Sequence, residues 1–448
     1  MGEKNRTYFA LSSPPGNSAT SNIRISGPQS LESLSKLTKI KPDKFLHRKT
    51  VVCNIYNKNN ILIDKAVVVY YQAPNSYTGE DVAEIHPHGN PLIVEIIFEE
   101  LIGFGLVIAE PGEFTRNAYL NDKIDLIQAE AVFSLISSKT NRGVALSINN
   151  AAGALSSQLK KLRLSLIDAL SRVEYELDIS EMDSHTETIS TVSEEIRKNK
   201  KTIKKLIKSY KASRFLQAGI KIVIVGAPNV GKSTLFNALL NQDRAIVSKQ
   251  PGTTRDLIDG TSQIANYSVR FVDTAGIRKT KKTIEKEGIK RTKLEIEEAD
   301  LIYQILDPTT KTTVSIASTT TETITIYNKL DLLTEHKKRS LIKNNSGAIF
   351  LSAKFGTGIG ALKRKTKKTI EANTTQKESI YLTSKRQQTI LLNALVALRK
   401  ASKNETKTRL ELISVHLREA IEQFDWLVGK TTPDDVLNTI FSQFCVGK

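Results

Sequence analysis

Cysteine is scarce in this chain, with only Cys53 and Cys445 in 448 residues. That excludes a disulfide framework and a cysteine-ligated zinc site, and it fits a chain kept in the reducing cytoplasm. Long apolar runs are missing as well. Stretches such as Ala66-Val-Val-Val-Tyr-Tyr71 stop far short of the roughly 18 to 20 residues a bilayer requires, so no membrane span is expected. The N-terminal run Tyr8–Ser13 is broken by Pro14-Pro-Gly16 before it reaches the about 7 to 15 apolar residues of a secretory leader, and none is predicted. Acids are outnumbered, 47 against 65 lysines and arginines, giving a net charge of +18 and a pI of about 9.6. Two readings of that excess stand: a polyanionic partner such as RNA or an anionic surface, or a lysine- and isoleucine-rich background composition.

What is present suffices for about two to four domains. Residues 1–120 read as a mixed α/β domain, with extended segments at Thr7–Ser12, Asn22–Ser26, Thr50–Tyr56, Ala66–Gln72 and Leu106–Ala109 and helices at Ser30–Leu37 and Pro91–Gly103. Three segments rich in turn and charged residues read as loops around a pocket: Ser13–Gly16 with Arg24, Pro74–Asp81 leading to Glu84 and His86–Gly89, and Pro111–Arg116 leading to Lys123. His86 and His88 have no third ligand nearby in sequence and read as ordinary loop histidines.

Residues 121–217 and 376–448 read as helical. Leu155, Leu159, Leu162, Leu166, Leu170, Val173 and Leu177 recur at spacings of four and three, as do Leu410, Ile413, Leu417, Ile421 and Phe424; both stripes mark helices packed on other helices. Glu194–Ser213 is a further helix with a lysine-rich face. Thr432-Pro-Asp-Asp435 announces a last one, with a hydroxyl N-cap, proline at the first position and acids facing the dipole. The C-terminal helices alone make a thin core. They are expected to pack with the helices before residue 217, so that residues 218–375 form an inserted domain.

That insert carries Gly226-Ala-Pro-Asn-Val-Gly-Lys-Ser233 between the β-branched run Lys221–Val225 and the helical Thr234–Leu240. Strand, glycine loop and helix together are the setting of a P-loop, in which backbone N–H groups and the helix dipole hold phosphates, Lys232 reaches the β- and γ-phosphates and Ser233 ligates Mg²⁺. Thr253 and Thr254 follow, one of them able to complete the Mg²⁺ shell. Asp273-Thr-Ala-Gly276 ends a strand, Asn328-Lys-Leu-Asp331 offers a carboxylate to the N1–H and 2-amino donors of guanine, and Ser352-Ala-Lys354 closes the base pocket. GTP is therefore the expected nucleotide. Where Ras-type GTPases place a water-positioning glutamine stands Ile277, so both the water and the counter-charge need another source. Arg255, Arg278 and Asn229 are the polar candidates nearby.

These motifs, with Arg24-Ile-Ser-Gly27, Asn75-Ser-Tyr-Thr-Gly-Glu-Asp81, Pro111-Gly-Glu-Phe114, Leu120-Asn-Asp-Lys123, Gln128-Ala-Glu-Ala131 and the terminal Phe444-Cys-Val-Gly-Lys448, resemble the tRNA-modification GTPases of the MnmE (TrmE) family over essentially the whole chain. The resemblance implies a multidomain α/β plus all-α protein: an N-terminal tetrahydrofolate-binding and dimerisation domain, a split helical domain, and an inserted Ras-like P-loop GTPase domain. It implies a homodimer that works in the cytoplasm on tRNA with MnmG, an FAD-dependent partner, in a heterotetramer or larger assembly. The reaction implied is addition of a (carboxymethyl)aminomethyl-type group to carbon 5 of the wobble uridine, with 5-formyl- or 5,10-methylene-tetrahydrofolate supplying the carbon.

By the same resemblance K⁺, held by Asn229, Ser248, Gln250 and Thr253, stands in for an arginine finger, and Ser233 and Thr254 hold Mg²⁺. The water-orienting glutamate falls at Glu285, twelve residues after Asp273, which joins Lys232 as a catalytic residue. The implied GTP contacts are Asn229, Val230, Gly231, Lys232, Ser233 and Thr234; Ser248, Lys249, Gln250, Pro251, Gly252, Thr253 and Thr254; Asp273, Thr274, Ala275 and Gly276; and Asn328, Lys329, Leu330, Asp331, Ser352, Ala353 and Lys354. Arg24, Glu84, Lys123 and Lys448 would hold the folate, and Cys445 reads as a thiol packed in the closing turn. Two departures stand out: Asn90 where the family repeats glycine, and the Thr/Ser-rich Pro308–Thr321, which reads as a loop or degraded helix in place of a G-domain helix. An Era- or Der-like switch in ribosome assembly is the alternative, against which the chain has neither a Gly-x-x-Gly KH signature after residue 375 nor a second G domain. A scaffold with a dead nucleotide site is disfavoured by the presence of Lys232, Ser233, Asp273 and Asp331.

Overall fold

The computed structural model describes residues 6–178, 186–241, 259–264, 267–273, 295–296, 298–310, 321–374, 380–403, 410–429 and 433–447. The chain divides into two compact units, one of Met1–Phe133, Ile148–Lys204 and Ser384–Lys448, the other of Ser134–Ser147 and Lys205–Thr383.

In the first unit the strands β1 (Tyr8–Leu11), β3 (Ile23–Ser26), β4 (Thr50–Tyr56), β5 (Leu62–Tyr71), β6 (Val82–His86) and β8 (Val107–Ile108) form one sheet in the order β4-β5-β6-β3-β1-β8, antiparallel except for the β1–β8 pair. β2 (Ser18–Thr20) and β7 (His88–Gly89) make a separate small pair. Period-two alternation builds the core. Ile23, Ile25, Ala83 and Ile85 face inward with Leu34 and Leu37 of α1 (Ser30–Thr38) and Ile97 and Leu101 of α2 (Pro91–Gly103), which leaves Arg24 and Glu84 opposite each other on the other face.

Two segments expected to be loops are regular structure. Residues 82–89 supply β6 and β7, so His86 and His88 lie on strands; the polar Glu84 and His86 on the outward face of β6 disguised the inward apolar pair Ala83 and Ile85. Residues 113–120 form the helix α3 (Glu113–Leu120), which buries Phe114 and Ala118 four apart and follows Gly112 at φ 73°.

The helices α4 (Leu126–Ser137), α5 (Asn141–Ala151), α6 (Ala154–Asp178) and α7 (Thr186–Ala218) follow, and α11 (Lys385–Lys403), α12 (Leu410–Val428) and α13 (Asp434–Phe441) return after the second unit. α7 is longer than the sequence predicts. α6 buries Leu155, Leu159, Leu162, Leu166 and Val173, and α12 buries Leu410, Ile413, Leu417 and Phe424, as their spacing requires. Arg163 on α6 grips Asp425 on α12 through two hydrogen bonds of 2.9 and 3.2 Å. The last helix begins one residue later than expected. The Pro433 carbonyl accepts from the Val436 and Leu437 amides, which makes Pro433 the cap residue; Thr432 lies outside the described residues.

The second unit holds β9 (Ile220–Gly226), β10 (Asp259–Ile264), β11 (Tyr267–Asp273), β12 (Leu301–Leu306), β13 (Thr323–Tyr327) and β14 (Ile349–Phe350) in the order β10-β11-β9-β12-β13-β14. Every pair is parallel except β10–β11. β9 is buried on both faces, Ile222 and Ile224 in one core cluster and Val223 and Val225 in the other, which is why its sequence reads as an unbroken apolar run. The helices of this unit include α8 (Lys232–Asn241), α9 (Glu335–Asn344) and α10 (Ile359–Thr374). Most of Pro308–Thr321 lies outside the described residues; Pro308–Thr310 form a turn closed by the Thr310 amide on the Asp307 carbonyl at 3.2 Å.

Candidate functional site

The glycine loop leaves the C-terminal end of β9, where the strand order turns back on itself with β11 on one side and β12 on the other. That reversal opens the crevice in which doubly wound sheets bind ligands. Asn229 stands exposed at the crest of the loop with φ 63°, a left-handed conformation asparagine tolerates. Gly231 has φ 95°, and a Cβ there would come within 2.3 Å of Asn328 Nδ2, so only glycine fits. Lys232 is 8% exposed. Its Nζ donates to the carbonyls of Gly226 at 2.9 Å and Ala227 at 2.8 Å, which draws the ammonium across the loop. Ser233 and Thr234 are exposed in the first turn of α8.

Directly against the glycine loop Asn328 is nearly buried, 2% exposed. Its Nδ2 donates to the Val230 carbonyl at 2.8 Å and its Oδ1 accepts from the Ala353 amide at 2.9 Å. One side chain therefore ties the glycine loop to both loops expected to recognise the base. Ser352 Oγ donates to Asp331 Oδ1 at 2.5 Å and fixes the carboxylate expected to read guanine. The Leu330 amide reaches the Leu351 carbonyl at 3.3 Å, and Lys354 Nζ lies 5.3 Å from the centre of the Phe355 ring. Lys329, at φ 60°, turns its ammonium to Asp307, 2.7 Å away. Burial opposes charge on Asp307, yet Lys329 and the amide and hydroxyl of Thr309 hold its carboxyl below the usual range. Sequence reasoning gave Asp307 no role; its signal was an acid directly after the strand Leu301–Leu306.

Asp273 closes β11, its backbone in register with Ile224, two residues before the glycine loop begins. Ser248, Lys249, Gln250, Pro251, Gly252, Thr253, Thr254, Arg255, Thr274, Ala275, Gly276, Ile277, Arg278 and Glu285 lie outside the described residues, as does Lys448.

In the first unit a cavity of about 430 Å³ is lined by Arg24, Tyr71, Tyr77, Val82, Glu84 and Val132. Arg24 Nε donates to Glu84 Oε1 at 2.8 Å, and its guanidinium carbon sits 5.6 Å from the ring centres of both Tyr77 and Phe114. Two predicted ligands thus meet. Lys123 does not line this cavity; it donates to the Pro74 carbonyl at 2.9 Å. His88 Nδ1 lies 2.8 Å from Asp64 and His86 Nε2 3.8 Å from Glu84. The C-terminal turn packs through Phe444, which is buried with Leu126, Ala129, Leu437 and Phe441, and through Gly447, whose carbonyl accepts from Ser12 Oγ at 3.0 Å. Cys445, expected to be packed, is exposed, because the turn directs Phe444 and Gly447 inward instead.

Residues 126–445 match the family model of the MnmE helical domain. The chain belongs to the MnmE family of tRNA modification GTPases. Residues 7–123 match the GTP-binding protein TrmE N-terminus. The tRNA modification GTPase MnmE of Aquifex aeolicus is 38% identical over 98% of this chain and 99% of its own, and that of Fervidobacterium nodosum 38% identical over 99% and 97%. Among solved structures, the FeoB G-domain from Methanococcus jannaschii is 25% identical over 34% of this chain and 98% of its own, with a TM-score of 0.26.

Proposed function

We propose that the chain is a GTP-hydrolysing enzyme of tRNA modification that, with an FAD-dependent partner, places a (carboxymethyl)aminomethyl-type group on carbon 5 of the wobble uridine. The observation that carries the nucleotide half is the Asn328 clamp, which holds the phosphate loop against the loops bearing Asp331 and Ala353. A carboxylate fixed by Ser352 accepts from two adjacent donors of guanine, a pair adenine lacks. Lys232 and the N-terminal turn of α8 bind the phosphates, Thr234 and Lys354 flank the nucleotide, and Glu285 orients the attacking water.

The exposed Ser233 hydroxyl at the start of α8 fits Mg²⁺, shared with Thr254, and the exposed Asn229 carboxamide fits K⁺, shared with Ser248, Gln250 and Thr253. Both ions, when bound, would supply positive charge against the charge that develops on the transferred phosphoryl oxygens. In the other unit Arg24 and Glu84 suit a reduced folate: the guanidinium for a carboxylate, the acid for a pterin edge, with the cavity-lining Tyr77 as a ring surface. Only Nε of Arg24 is engaged by Glu84. Lys123 and Lys448 would complete that site. In this reading residues 1–120 form the folate-binding and dimerisation domain, 218–375 the G domain, and 121–217 with 376–448 the helical domain of a cytoplasmic homodimer.

Mass spectrometry of wobble uridine in tRNA from cells lacking the gene tests the reading. Loss of the C5 substituent is the expected result. Normal modification would remove the proposal and favour an assembly-factor switch.

A further inference from the structure

A second cleft, of about 650 Å³, lies wholly within the second unit, away from the glycine loop in sequence and in its lining. Three different elements build it: the turn into α5 supplies Lys139 and Arg142, the β10–β11 hairpin supplies Gln263 and Tyr267, and α10 supplies Lys367 and Glu371. Local bonding sets the turn in place. The Lys139 amide donates to the Gln217 carbonyl at 3.0 Å, and the Thr140 hydroxyl donates to the Leu216 carbonyl and accepts from the Gly143 amide at 3.0 Å. Gly143 packs so tightly that a Cβ there would lie 2.4 Å from the Leu216 carbonyl. Arg142 is directed across the cleft, with Nη1 3.5 Å from the buried Tyr267 hydroxyl.

The charge in this cleft is unbalanced. Three cations converge from two elements, and Glu371, 3.9 Å from Lys367, is the one acid among the described lining residues. Gathering like charges in one concavity opposes folding unless an anion compensates them. The basic wall also continues. α10 presents exposed Arg364, Lys365 and Lys368 beside Lys367 and has no acid other than Glu371. Arg364 and Lys368 are one helical turn apart, about 5–6 Å between side-chain bases, so the wall offers repeated cations to a ligand with repeated phosphates rather than one cage for one phosphate.

We propose that this cleft and the adjoining face of α10 hold the phosphodiester backbone of RNA, which within the reading above is tRNA. The contacts position the RNA and read no bases. None of these residues belongs to the nucleotide or folate machinery, so the site is separable from both.

The test uses the full-length chain with a tRNA transcript, its binding measured by filter retention across a salt series. Lys139→Gln with Lys367→Gln is the main variant; Arg142→Lys, which keeps the charge but not the fork, is the folding-safe companion. The double variant is expected to lower the slope of log affinity against log salt by about two and to weaken binding at ~0.1 M salt about tenfold or more. Arg142→Lys should leave the slope unchanged, and GTP turnover should be unaltered in both. Unchanged tRNA affinity and slope in the double variant overturn the proposal. A loss confined to inorganic pyrophosphate binding, with tRNA unaffected, overturns RNA as the occupant. If the parent chain binds no tRNA at all, the tRNA reading itself fails; variants that match a tRNA-binding parent sink the cleft alone.

Discussion

Asn328 donates to the carbonyl of Val230 at 2.8 Å from a side chain that is almost fully buried. Replacing Asn328 with alanine leaves two buried groups, the Val230 carbonyl and the Ala353 amide, without partners, at about 1–3 kcal/mol each. Since both loops line the proposed GTP site, the expected outcome is at least a tenfold weaker GTP affinity together with a lower Tm. A calorimetric titration with GTP and a melting curve measure the two effects. Tm falling with affinity intact would mean that the clamp is only structural.

In the proposed GTP site Asp331 would carry base specificity. An Asp331→Asn variant presents an amide donor where guanine also presents one, so GTP affinity is expected to fall about 100-fold or more. Xanthine carries a carbonyl in place of the 2-amino group, and the same variant should bind XTP better than the parent does. Parallel titrations with the two nucleotides decide it; equal discrimination in parent and variant would take Asp331 out of base recognition.

In the proposed mechanism hydrolysis would depend on residues outside the described segments. Glu285→Ala is expected to reduce GTP turnover by about 10²–10⁴-fold while GTP binding stays nearly intact. Turnover in K⁺ buffer should exceed that in Na⁺ buffer at equal ionic strength. Identical rates in the two salts would eliminate the potassium mechanism, whatever the Glu285 variant does.

Much of this was legible in the sequence, and the exceptions have physical causes. The glycine loop, the strand before it and the leucine stripes of α6 and α12 are local signals, so composition and spacing suffice to find them. β6 was hidden because its outward residues are polar, and its identity as a central strand depends on pairing with β3 and β5, partners remote in sequence. The Arg24–Glu84 pair is a consequence of that register. For the same reason Asn328 was legible as a base-loop residue but not as a clamp on Val230, 98 positions away. The exposure of Cys445 likewise follows from which neighbours the closing turn buries.

Asp307 makes stability near the site dependent on pH. Its folded carboxyl titrates below its usual value, so the unfolded chain binds a proton first as pH falls. The stabilisation is fully present above the unfolded value of about 3.9 and is lost as pH drops through the lower folded one. Asp307→Asn should therefore flatten the acid limb of a Tm-against-pH curve and lower Tm at neutral pH. An unchanged acid limb would show that Asp307 and Lys329 are not coupled in solution.

Glu130 is the acceptor of a dense set of donors. Arg386 reaches it through Nε at 2.9 Å and Nη2 at 3.2 Å, Gln387 Nε2 at 2.5 Å, and Ser384 Oγ at 3.1 Å, while Arg386 also donates to the carbonyls of Trp426 and Leu427. α4 and α11 are thereby fastened at one carboxylate, and Arg386 extends the tie to the end of α12. Removing one partner from a buried charge pair costs about 3–5 kcal/mol, because the other charge is left uncompensated. Glu130→Ala should lower the urea midpoint accordingly. The double variant Glu130→Ala with Arg386→Met should recover part of the loss, since no orphaned guanidinium remains. If the two changes simply add, the residues are not coupled, and the carboxylate is held by its neutral donors alone.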